Sequence, residues 1–150
     1  MTVYLDTSVV LSWLLNQDPS IREWGLWQAA YTSEICRGEF HRTIDRLRLG
    51  GDLDDRERVF LHERFTTFWK SAHRVRVSAS LLTRASQSYP TVVGTLDAIH
   101  LASALVVHER RNRRIDEFLT HDGQLGTAAR AVGFTVRGVA EENDSVATGC

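Results

Sequence analysis

The stretch Thr2-Val3-Tyr4-Leu5-Asp6-Thr7-Ser8 constrains the fold of this chain more than any other. Val3, Tyr4 and Leu5 form a short β-favouring apolar run, the kind that makes a strand buried on both faces. Asp6 follows directly, then two hydroxyl residues, then a helical pattern over Val9–Leu15. A strand that turns straight into a helix is the first half of a βα unit. A carboxylate at its carboxyl end sits where open α/β sheets place their ligands. Asp6 also reads as a cap or turn residue, because Thr7 or Ser8 can cap the helix and the helix start offers N–H groups to an anion.

The same alternation continues. Asn16–Ser20 breaks the first helix, and Ile21–Ala30 is expected as a second one, with Pro19 near its start and Trp24 and Trp27 packing on one side. Tyr31-Thr32-Ser33 is a very short strand, with Ser33 as a helix cap. Glu34–Leu49 follows as a helix with Cys36, Phe40, Ile44 and Leu47 at core-face spacing. Gly50-Gly51 ends it. Asp52–Trp69 forms the second arm of an αα-hairpin, and its large apolar residues exceed what one sheet covers, which suggests a partner or dimer surface. Arg74–Ser78 reads as a strand and Ser80–Ser88 as a short helix. Thr95 is expected to cap a helix over Leu96–Glu109. Phe118-Leu119-Thr120 is a strand that ends at His121-Asp122-Gly123. Leu125–Val132 is an amphipathic helix, and Phe134-Thr135-Val136 a last strand. Strands alternating with helices imply a mainly parallel sheet covered on both faces. The domain is expected over residues 1–140, with 141–150 a polar, acidic, disordered tail.

Composition excludes some classes. No apolar run reaches membrane-span length and no charged-then-apolar leader opens the chain, so a cytoplasmic protein without membrane contact is expected. Cys36 and Cys150 match no metal spacing and no disulfide framework; Cys36 reads as a small core residue. A net charge of −1 gives no global attraction to nucleic acid. The cations are nearly all arginine, with Lys70 the one lysine. A base-composition bias explains this as well as phosphate binding does.

Four carboxylates stand out. Asp6 and Asp122 leave strand ends, so a parallel sheet puts them on one edge. Asp97 lies in the first turn of a helix that is apolar almost all round, where a buried carboxylate needs a cap role, an arginine or a metal. Glu39 lies at the edge of its helix's apolar stripe, near Arg42 and Arg46, and reads otherwise as an exposed partner of Arg42. His100 reads as a packed histidine. Four converging acids repel unless their pKa values rise or hard divalent ions bind. An oxygen-only set suits Mg²⁺ or Mn²⁺ rather than zinc.

Tyr4-Leu5-Asp6-Thr7-Ser8, Glu39, Leu96-Asp97-Ala98-Ile99-His100-Leu101-Ala102, Leu119-Thr120-His121-Asp122 and Ala128-Ala129-Arg130-Ala131-Val132-Gly133-Phe134 together resemble the PIN-domain nucleases. In particular they resemble the VapC toxins of bacterial toxin–antitoxin pairs. The resemblance runs from Val3 to about Val139. It departs in a longer Arg110–Arg114 connection and in the acidic tail, and neither touches the acids. It implies a PIN-like three-layer α/β/α sandwich and a Mg²⁺-dependent endoribonuclease. Asp6, Glu39, Asp97 and Asp122 would be the catalytic and metal-binding acids, with Asp6 and Asp97 the firmest ligands. Thr7, Ser8 and Thr120 would steady the acids by hydrogen bonds. Arg42, Arg46, Arg110 and Arg111 would bind flanking RNA phosphates. A VapB-like antitoxin is the implied partner, with an arginine inserted among the acids, and a homodimer is the implied assembly. The alternatives are a housekeeping PIN nuclease, an inactive RNA- or protein-binding PIN module, and a HAD-like phosphatase. The last would want a second acid where Ser8 stands, and a lysine partner.

Overall fold

The computed structural model describes residues 1–15 and 21–139. The break at 16–20 and the tail at 141–150, Cys150 included, lie outside the described residues. The elements run β1 (Thr2–Leu5), α1 (Thr7–Leu14), β2 (Ala29–Ser33), α2 (Ile35–Leu49), α3 (Asp55–Ser71), β3 (His73–Val75), α4 (Ala79–Ala85), α5 (Thr95–His108), β4 (Glu117–Leu119), α6 (Gly123–Ala131) and β5 (Val136–Arg137). The five strands form one sheet in the order β3-β2-β1-β4-β5. Every pairing is parallel. The expected parallel α/β/α sandwich is therefore the fold, with β1 at its centre.

The period-two alternation of β1 assigns its residues to opposite layers. Val3 and Leu5 enter a core with Val9, Val10 and Leu14 of α1, Cys36, Phe40 and Ile44 of α2, and Leu61, Phe65 and Phe68 of α3. Tyr4 points the other way, into a core with Leu101 and Ala104 of α5, Phe118 of β4, and Leu125 and Ala128 of α6. Burial pushes the Cys36 thiol up to about 12, as befits a core residue. The αα-hairpin is present as α2 and α3. Its second arm opens with a reciprocal capping box between Asp54 and Glu57. Phe40 and Phe65 stack across the hairpin at 4.0 Å between ring centroids.

Three expectations are corrected. Residues 21–30 do not form a helix: the chain turns at Gly25, at φ +81°, and Ala29 and Ala30 pair with Thr2 and Val3 of β1. The unfilled edge of the central strand outweighs the helical propensity of two alanines. Trp24 still packs, stacked on Trp13 at 4.2 Å. Thr95 is not a cap, because Gly94 occupies that position and Thr95 is already helical. Glu34 rather than Ser33 occupies the position before α2, while the Ser33 hydroxyl accepts weakly from the Ile35 N–H at 3.4 Å.

Gly138 closes the fold beside the site described below. Its φ is +101°, and a Cβ there would lie 2.5 Å from the Thr120 carbonyl oxygen. Gly138→Ala is expected to destabilise by about 1–3 kcal/mol from strain alone, with the backbone clash adding to it. Gly51, also at positive φ but facing open space, should lose only that strain of about 1–3 kcal/mol on the same change. Urea denaturation of the two variants checks the difference. Equal losses would show that the contact with Thr120 relaxes freely.

Candidate active site

The loops after β1 and β4 are laced together at the carboxyl edge of the sheet. Asp6 is buried, and its N–H donates to the Leu119 carbonyl at 3.0 Å. Its Oδ2 accepts from the Ser8 hydroxyl at 2.5 Å and from the Thr120 hydroxyl at 2.9 Å. Thr120 Oγ1 in turn accepts from the Asp122 N–H at 3.0 Å, and Ser8 Oγ from the His121 N–H at 3.0 Å. Each hydroxyl thus spends its proton on Asp6 and its lone pair on the neighbouring backbone. Asp122 caps α6, with Oδ1 accepting from the Leu125 N–H at 2.8 Å.

Glu39 comes from the first turns of α2. It does not pair with Arg42, which instead bridges to Asp45 at 2.8 Å. The Thr7 hydroxyl donates to Glu39 Oε2. His100 Nε2 lies 2.8 Å from the same oxygen, 3.1 Å from Thr7 Oγ1 and 3.4 Å from Asp6 Oδ1. Its other nitrogen, Nδ1, is 2.9 Å from the Tyr4 hydroxyl. The geometry makes Nε2 a donor to a carboxylate and leaves Nδ1 hydrogen-bonded to the Tyr4 hydroxyl. Burial pulls the His100 pKa down, but the hydrogen bond to Glu39 and the charges of Asp6, Glu39 and Asp97 outweigh it, so the net shift is upward. His100 is therefore a bridge between the acids and the core rather than a packing residue only. The signal was present in the sequence: Asp97 and His100 are spaced i, i+3, which puts them on one side of α5.

Asp97 stands in the first turn of α5, partly buried. Desolvation and then the charges of Asp122, Asp6 and Glu39 raise its pKa to about 6, against a smaller opposing effect of His100. All four acids line one cleft of about 800 Å³, together with Arg37, Arg42, Leu11 and Leu96. Arg37 escaped the sequence reading because nothing local separates it from the other arginines of α2. Arg46 is exposed and does not line the cleft. Arg110 and Arg111 follow the far end of α5, about 20 Å from Asp97 at 1.5 Å rise per residue, so they do not reach the acids.

The donor chemistry fits a hard divalent cation: four carboxylates, all oxygen, in a cleft where burial and then neighbouring charge raise the Asp97 pKa to about 6. Among the described residues no three side chains close on a single metal point. Three of the carboxylates, those of Asp6, Glu39 and Asp122, each have one oxygen committed to protein hydrogen bonds.

The Asp97 shift sets a pH window. The folded state binds this proton more tightly than the unfolded state, so stability falls as pH rises from about 3.8 to about 6 and the loss persists above it. In EDTA, Asp97→Asn is expected to be the more stable protein at pH 8, by about 1 kcal/mol once solvent screening at a partly buried site is allowed for. The advantage should vanish at pH 4. Thermal melts at the two pH values check this, and an unchanged difference would mean that the acids do not repel. Tyr4→Phe leaves His100 Nδ1 buried without a partner and should cost about 1–3 kcal/mol, read in the same melts at pH 7.

The PIN domain family model matches residues 3–130. Among solved structures, the chain is similar to one described as VapBC2 from Rickettsia felis bound to a DNA fragment from its promoter. The TM-score is 0.62 at 9% identity, over 91% of this chain and 98% of that one. At that identity the likeness concerns the fold. No curated protein matches in sequence. With the family model spanning most of the chain, and its parallel sheet gathering acids at one edge, this protein belongs to the PIN domain family.

Proposed function

We propose that this protein is a metal-dependent endoribonuclease that hydrolyses RNA phosphodiester bonds, acting as the VapC-type toxin of a toxin–antitoxin pair. The observation that carries the reading is the gathering of Asp6, Glu39, Asp97 and Asp122 in one cleft of a PIN fold. Asp6 and Asp97 would be the principal ligands of Mg²⁺ or Mn²⁺, with Glu39 and Asp122 completing the set. A bound divalent ion would supply a water of lowered pKa and charge compensation at the scissile phosphate.

The chain's own residues do the rest. Ser8 and Thr120 hold Asp6 Oδ2, which leaves Oδ1 as the oxygen turned toward the other acids and His100. Thr7 and His100 hold Glu39 Oε2 in the same way. These donors orient both carboxylates, which reduces reorganisation when substrate arrives. Arg37 and Arg42, on the same cleft wall, supply guanidinium forks for the phosphates flanking the cut. The phosphatase alternative loses ground here. Ser8, at the position of its second acid, donates to Asp6. Lys70 is exposed and outside the cleft.

An antitoxin is supported by the character of the cleft. Leu11, Ile35, Val77 and Leu96 line it beside the acids, a mixture suited to an amphipathic segment that places an arginine among the carboxylates. The Rickettsia felis structure that shares this fold is itself one of VapBC2, which supports a VapB-like partner. Leu61, Phe65 and Phe68 of the αα-hairpin are buried in the core and are not surplus, while Leu49, Val59 and Phe60 remain exposed, and a homodimer would use these. Among the described residues no helix is long and apolar enough to cross a membrane.

With Mg²⁺, the wild type should cut RNA to 5′-phosphate ends, and EDTA should stop it. Asp6→Asn and Asp97→Asn should each lower the rate by about 100-fold or more while the circular dichroism spectrum stays native. Full activity in either variant would sink the reading. Growth arrest on expression, relieved by Asp97→Asn, would separate a toxin from a housekeeping PIN nuclease.

A further inference from the structure

A second cavity, of about 540 Å³, opens at the β3 edge of the sheet. Its walls carry Arg74, Arg76, Arg84, Arg110 and Arg113 and no carboxylate. Arg84 is paired with Glu109 at 2.5 Å. Among the described residues Arg76, Arg110 and Arg113 have no ion-pair partner. A chain of net charge −1 thus concentrates unneutralised positive charge in one concave place. The His73 ring stacks on the buried Tyr31 ring at 4.9 Å and is itself exposed, so the cavity has an aromatic wall as well.

Shared side chains make this cavity a neighbour of the acid cleft. Arg37 lines the cleft and also a small recess shared with Glu34, Trp69 and Arg74. Arg74 lines that recess and also the basic cavity. The register explains the proximity: Tyr4 pairs with Tyr31 and Tyr31 with His73, so the end of β3 lies level with Asp6, two strands or about 10 Å to the side. Glu34, the acid on this path, accepts from the Val77 N–H at 3.0 Å.

We propose that the line Arg42, Arg37, Arg74, Arg76, Arg110 and Arg113 is a backbone track for single-stranded RNA, carrying the strand from the acid cleft over the β3 edge into the basic cavity. This rests on the nuclease reading of the cleft and adds a substrate-length requirement to it. Guanidinium forks grip successive phosphates, and the exposed His73 ring offers a stacking face for a base. RNA too short to reach from the cleft to the basic cavity fills the cleft alone.

The test measures binding rather than cleavage, with full-length Asp6→Asn protein in EDTA and fluorescently labelled RNA of about four and about twelve nucleotides. The longer RNA is expected to bind about tenfold more tightly or better. Adding R76Q, R110Q and R113Q, all exposed positions, should remove that gain, leave the short RNA unaffected and make the salt slope shallower by about 2. Undiminished binding of the long RNA by the triple variant overturns the track alone, because the wild type still cuts RNA. Binding of a mononucleotide or inorganic phosphate in the cavity as tightly as the long strand overturns it in favour of a small-anion site. No RNA binding by any form, with no cleavage by the wild type, overturns the track and the nuclease reading together.

Discussion

Strand β1 is hydrogen-bonded along both edges, to β2 on one side and β4 on the other, and its last three residues, Val3, Tyr4 and Leu5, are fully buried. The position of every acid follows from that placement. A parallel neighbour must end at the same edge, so the residues after β1 and after β4 meet, and Asp6, Ser8, Thr120 and Asp122 come within reach of one hydrogen-bonded lattice. Tyr4 then carries the lattice through the sheet. Its ring fills the α5–α6 core, and its hydroxyl holds His100, whose far nitrogen faces Glu39. Core and site share side chains, so damage to one reaches the other.

The acids are not held alike. Asp6 and Glu39 each take two donors from the protein. Asp122 is tied at one oxygen by its role as a cap. Asp97 is the least compensated: burial first, and then the charges around it, raise its pKa to about 6. The molecule keeps an electrostatic cost at this edge that a fold selected for stability alone would remove. A hard cation or an incoming guanidinium would relieve it, so in the proposed function catalysis and inhibition would share one cleft.

Charge is also divided across the surface. Acids occupy the cleft, and unpaired arginines gather at the β3 edge. The net charge of −1 conceals both, because it averages two opposed fields.

Much of this was legible in the linear chain. The apolar run before Asp6, the Gly-Gly stop after Leu49, the acids opening α3 and the unsolvated setting of Asp97 follow from strand and helix periodicity and from local capping rules. These give most of the element order, the strand–helix alternation that implies a parallel sheet, and the four acids as candidates, because each depends on neighbours within a few residues. The tertiary structure decided what depends on distant partners. It drew Ala29 and Ala30 out of an expected helix and into a strand, because the edge of β1 needed pairing. It turned His100 from a packing residue into a bridge, because Tyr4 and Glu39 arrive from other elements. It separated Arg110 and Arg111 from the acids by the length of α5, a distance that a run of arginines does not encode. Periodicity is a property of the backbone and can be read in sequence. Which side chains share a cleft is set by strand order, and strand order emerges only when the sheet closes.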